Sequence, residues 1–127
     1  MFYIDKTDMT IYITRGDTAL FDVSASANKE NHTFKPDDVV RFKVFAKKDC
    51  DDVVLKKDTV VTDYVDKVRI LLEREDTTIG EVINKPVDYW YEVELNPDTC
   101  PQTIVGYDDN GAKIFKLFPE GGVANEQ

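Results

Sequence analysis

The sequence predicts an all-β domain built from about seven to nine short antiparallel strands, arranged as a sandwich or barrel. Three observations carry this reading. Several stretches alternate apolar and polar residues with a period of two, as in VVRFKVF, KVRILLE and YWYEVEL. That period sends successive side chains to opposite faces of a pleated strand. Turn chemistry recurs between them, at Arg15-Gly16-Asp17, Asn96-Pro97-Asp98 and Asp108-Asp109-Asn110-Gly111. No long segment repeats the helical period.

Residues 11–25, IYITRGDTALFDVSA, read as a half-buried hairpin. Ile11 and Ile13 face one way, Tyr12 and Thr14 the other. Gly16 supplies the positive φ of a tight reversal. Residues 27–38 form a polar loop. In residues 39–46, Val40, Phe42, Val44 and Ala46 share one strand face, and Arg41, Lys43 and Phe45 the other. Residues 47–52, KKDCDD, are a charged turn. A strand begins at Val53 and runs on through Asp58. Residues 59–65 are rich in β-branched side chains, with a bend at Thr62-Asp63. Residues 67–73 alternate again, with Val68, Ile70 and Leu72 inward. Residues 74–82 hold one helical turn started by Asp76 or Thr77 and closed at Gly80. Residues 89–95 form a strand with Tyr89, Tyr91, Val93 and Leu95 on one face. Residues 103–107 and 113–118 flank an Asn-Gly pair and read as a closing hairpin. Phe42, Val44, Val68, Ile70, Tyr91 and Val93 are expected to share one core. The chain reads as one domain over residues 1–127, its core spanning about 2–119, with a frayed tail.

With 42% hydrophobic residues in a chain of 127, a single core is within reach. Sixteen basic against twenty-five acidic residues leave a formal charge of −9, spread along the chain. Such a field disfavours nucleic acid and anionic membranes as partners. No apolar run is long enough to cross a membrane as a helix, and the N-terminal residues lack the pattern of a signal peptide, so a cytoplasmic protein is expected. The two cysteines, Cys50 and Cys100, lie in polar turn contexts outside any CxxC pair, and one histidine, His32, is present. No metal site, cofactor or catalytic residue is expected.

The motifs with chemical associations have structural explanations. Arg15-Gly16-Asp17 matches the integrin tripeptide but reads fully as a turn. Counted from Asp108, a calcium loop fails, because its fifth and twelfth positions are Ala112 and Pro119. Glu92 and Glu94 share a strand face, whereas a glycosidase pair comes from separate elements around a cleft. No nucleophile elbow, zinc-protease helix or phosphate loop is present. Trp90 carries more information. With Tyr89 and Tyr91 in the core, it points outward beside Glu92, as an interface anchor does. Phe45 and Leu71 fall on the outer faces of their strands as well, so Trp90, Phe45 and Leu71 form the candidate interaction surface.

The order of ITRGDTALFDV, VVRFKVF, YWYEVEL and TIVGYDDNGAKIFKLFPEGG resembles small tail-region structural proteins of phages and prophages in Gram-positive bacteria. In particular it is similar to the N-terminal β-sandwich domain of phage baseplate upper proteins, over most of residues 9–122. The resemblance implies an immunoglobulin-like β-sandwich that acts without catalysis, by docking to other tail or baseplate proteins or to copies of itself. It implies assembly in the bacterial cytoplasm and residence in the virion. Baseplate proteins continue into further domains, whereas this chain stops at residue 127, so a stand-alone decoration, tail accessory or adaptor is expected. The alternative is a carbohydrate- or ligand-binding module with Trp90 and the neighbouring tyrosines as a stacking platform. A small hydrolase ranks third.

Overall fold

The computed structural model describes residues 1–27, 30–48, 52–108 and 111–120. Among these residues eleven strands and one short helix follow in the order β1 (Phe2–Asp5), β2 (Thr10–Thr14), β3 (Ala19–Val23), β4 (Ser26–Ala27), β5 (Glu30–Asn31), β6 (Val39–Phe45), β7 (Val53–Val60), β8 (Val68–Leu72), α1 (Arg74–Thr77), β9 (Val87–Leu95), β10 (Gln102–Val105) and β11 (Lys113–Phe118). The protein is mostly β, as expected. β4 and β5 are two-residue strands that pair with each other, and the other nine strands have four or more residues.

The large sheet runs β1-β2-β11-β9-β6-β7, with β10 also on β9. A second sheet is the ribbon β3-β8. One pairing departs from the antiparallel expectation: β11 lies parallel to β2, Phe115 opposite Ile11 and Leu117 opposite Ile13. The inner faces of both sheets close on one core. Ile11, Ile13, Val40, Phe42, Val44, Tyr91, Val93, Phe115 and Leu117 come from the large sheet, and Ala19, Val23, Val68, Ile70 and Leu72 from the ribbon. Phe42 ties the layers together, with its ring 5.7 Å from Phe21 of the ribbon, 5.5 Å from Tyr91 and 6.1 Å from Phe115. All six residues expected to share the core do so.

Two expected hairpins do not form. β2 and β3 flank the Gly16 turn, yet β2 pairs with β1 and β11, and β3 pairs with β8. The turn is real, with Gly16 at φ +85° and the Asp17 N–H donating to the Thr14 carbonyl at 3.0 Å. It carries the chain from one sheet to the other. The actual N-terminal hairpin is β1-β2, whose turn is held by Asp5 and Asp8 accepting the Thr7 and Thr10 N–H groups at 2.9 and 3.0 Å.

The closing hairpin is likewise a different object. β10 lies along residues 93–95 of β9, and β11 lies along residues 87–91 of the same strand. Both run antiparallel to β9, so they are two halves of one interrupted strand. Between them, among the described residues, 106 and 107 lie outside the sheet and Gly111, at φ +95°, is bridged to Asp108. The polar loop at 27–38 also holds structure. Phe34 is fully buried and bridges Val65, its N–H donating at 2.8 Å and its carbonyl accepting at 3.1 Å. The helix is capped by Glu73 and not started by Asp76 or Thr77, because the Glu73 N–H finds the Asp76 carboxylate at 2.8 Å. No helix among the described residues is long and apolar enough to cross a membrane.

Candidate functional site

The outer face of the large sheet, turned away from the core, carries an apolar row across four strands. Ile114 lies opposite Trp90, Trp90 opposite Phe45, and Phe45 opposite Val53. Alternation on β9 places Trp90 there: Tyr91 and Val93 are buried inward at 3% and 1% exposure, so Trp90 and Glu92 face out. Trp90 and Ile114 are half-buried and Val53 is exposed. Phe45 is on this outer face yet buried, against the expectation of an exposed contact residue. Its cross-strand neighbour is Trp90, and the Lys43 ammonium lies 5.7 Å from its ring centre, a cation–π distance.

Ion pairs flank the row. The Lys43 ammonium reaches Glu94 at 2.6 Å and Glu92 at 3.5 Å. The Arg41 guanidinium forks onto Asp58 at 2.7 and 3.0 Å and onto Asp98 at 3.2 and 3.0 Å. These hydrogen bonds raise the Arg41 pKa further and hold the Asp58 carboxyl below the usual carboxylate range. Across β11, Lys116 faces Asp88 at 3.7 Å. Beyond it the Tyr3 and Tyr12 rings stack at 4.7 Å, and Phe118 lies 6.1 Å from Tyr12. The face therefore offers apolar and aromatic area between paired charges in which carboxylates outnumber cations, Lys43 and Arg41 each meeting two carboxylates. The apolar row is the part of this face that can lose water to a partner at low cost, with the charges at its rim.

The three residues singled out from the sequence do not form one patch. Trp90 and Phe45 are neighbours, but Leu71 sits opposite Leu20 on the outer face of the ribbon, across the core. Leu71 and Leu20 are both exposed. Nor do Trp90, Tyr89 and Tyr91 make a stacking platform, because the tyrosines face the core and Tyr91 is buried in it.

The other motifs are taken up by the fold. Arg15 is buried, donating to the carbonyls of Ile79 at 3.1 Å and Gly80 at 2.6 Å and to Glu120 at 2.5 Å, while Asp17 pairs with the N-terminal amine. The integrin-like tripeptide is thus a structural clasp. Glu92 and Glu94 are both engaged by Lys43. His32 packs edge-on against Phe34 at 5.5 Å. Cys100 is an exposed free thiol, and Cys50 lies outside the described residues. Among the described residues no three His, Cys, Asp or Glu side chains gather as a metal site would require.

Two features escaped sequence reasoning. Asp38, 4% exposed, accepts the Lys35 N–H at 3.0 Å and the Asn96 amide at 3.1 Å, while Asn96 accepts the Val39 N–H at 2.8 Å. This knot fastens the start of β6 to the end of β9. Lys113 shares the inward parity of Phe115 and Leu117 and is 8% exposed. The alternation in KIFKLF was the signal that a lysine points into the molecule. Comparison with family models, curated proteins and solved structures finds no match for this chain.

Proposed function

We propose that the chain is a non-enzymatic structural or adaptor protein of a phage or prophage tail or baseplate, folded as an immunoglobulin-like β-sandwich, that acts by docking to other virion subunits. The tail assignment rests on the chain-wide resemblance in the order of strands and turns. The docking mode rests on one observation, the row Ile114, Trp90, Phe45 and Val53 on a sheet face turned away from the core. Trp90 is already half-buried, so covering the rest of its indole on docking contributes roughly 1 kcal/mol.

Two measurements test the reading. Mass spectrometry of particles purified from a strain carrying the gene should find the chain as a virion component, and its absence from particles removes the tail assignment. Trp90→Ala should reduce incorporation or self-association, read by sedimentation, while Leu71→Ala on the opposite layer leaves both unchanged. Equal behaviour of the two variants removes the docking face.

A further inference from the structure

At one end of the molecule the β1-β2 turn, Ser24 after β3, residues 103–108 and Lys113 surround a cleft of about 530 Å³. Its lining includes Asp8, Ser24, Thr103, Tyr107, Asp108 and Lys113. A smaller apolar cavity of about 120 Å³ adjoins it, sharing Met9, Ser24 and Val105 and reaching inward to Phe21 and Val93. Tyr91 closes this inner cavity from the core side, its hydroxyl donating to the Met9 carbonyl at 2.5 Å.

Of the charges in the cleft, Asp8 and Asp108 are exposed and Lys113 is buried. Lys113 projects inward from the first residue of β11, and its ammonium meets Asp108 at 2.5 Å. Asp8 lies close enough to feel it: hydrogen bonds from Thr10, with a smaller contribution from Lys113, hold the Asp8 carboxyl below its ordinary value. Two carboxylates and one ammonium leave the cleft with a net negative charge, in a chain already at −9, so an anionic ligand is repelled. A neutral polyhydroxy ligand suits the same groups. Each of its hydroxyls can donate to a carboxylate and accept from the ammonium or from a Ser or Thr hydroxyl. Tyr107, 70% exposed at the rim, offers an aromatic face for the apolar side of a pyranose ring. The adjoining apolar cavity is large enough for a methyl-sized substituent and lined to prefer one.

We propose that this end cleft binds a neutral saccharide bearing a small apolar substituent, an N-acetylhexosamine being the simplest case. The proposal goes beyond the docking reading and does not rest on it, since the cleft is separate from the Trp90 row. The test is titration of the isotope-labelled full chain with N-acetylglucosamine and, in parallel, with glucose, followed by NMR. Shifts should gather on residues 7–9, 24, 103–108 and 113, with N-acetylglucosamine binding more tightly and perturbing Met9 and Val105. Tyr107→Ala should weaken binding about tenfold without lowering the melting temperature. Asp108→Asn should weaken it too, and Trp90→Ala should leave it unchanged. The absence of shifts at millimolar sugar, shifts centred on the Trp90 row, or an unaffected Tyr107→Ala variant overturns the site. Equal affinity for the two sugars overturns the role given to the apolar cavity.

Discussion

Gly16 shows how one residue serves a different geometry from the one its neighbours suggest. Its φ of +85° belongs to the region that L side chains resist, and a Cβ there would meet only Glu120 and Thr78 side-chain atoms at 3.8 to 3.9 Å. Space is adequate, so the cost of Gly16→Val is conformational, about 1–3 kcal/mol. A calorimetric melt should show a lowered midpoint, and an unchanged one would mean that the turn can be made another way. Asp38 is the second telling residue. Burial alone would raise its pKa, but the Lys35 N–H and the Asn96 amide outweigh burial and the net shift is downward. A carboxyl whose folded pKa is depressed contributes stability above its unfolded value near 4, and that contribution is lost as pH falls through the folded value. Melting midpoints should therefore hold between neutral pH and about 5 and drop below about 4. Asp38→Asn should start lower at neutral pH and lose less on acidification. Parallel pH profiles for variant and parent would remove Asp38 from the account.

At the scale of elements, the interrupted strand β10-β11 explains why the end cleft exists. β9 is nine residues long and offers one edge to two shorter partners, and residues 103–108 with Lys113 form one wall of the cleft. The opposite wall is the β1-β2 turn, where Met9 sits at φ +63°. Its carbonyl is held by the Tyr91 hydroxyl, and burial pushes that phenol well above its ordinary pKa, so it stays a donor. Tyr91→Phe keeps the ring and removes the bond. The expected loss is about 1 kcal/mol, with faster amide exchange confined to residues 6–10. Uniformly faster exchange would indicate global loosening and a different role for the hydroxyl.

For the whole molecule, Phe42 is where the two layers meet. It is fully buried and its ring touches residues of the ribbon and of two neighbouring strands. Phe42→Ala should cost about 3–5 kcal/mol, through lost burial and the cavity left behind. Denaturant titrations should show the midpoint fall with a single transition, because ribbon and large sheet share one core. Two separated transitions would mean that the layers fold independently. At the same scale, chelator should leave the melting curve unchanged, and a drop of several degrees would expose a metal site that the described residues do not suggest.

Face and burial were legible in the sequence. Val40, Phe42 and Val44, then Val68, Ile70 and Leu72, then Tyr91, Val93 and Leu95 alternate with outward-facing residues, polar except for Leu71, and are all buried. Alternation is a local consequence of pleated backbone geometry, so it survives whatever the strands pair with. The position of the Gly16 turn was legible for the same reason. Pairing was not. The Gly16 turn marks where the chain bends, but hydrogen-bond partners are chosen by closure of a core over long sequence separations. That closure sent β2 to β11, β3 to β8, and both β10 and β11 to β9. It also decided what the sequence left open on the outer surface. Alternation put Phe45, Leu71 and Trp90 outside, whereas tertiary packing buried Phe45, half-covered Trp90 beside it and placed Leu71 on another layer. The end cleft belongs to the same class, since its walls come from segments that only the three-dimensional path brings together.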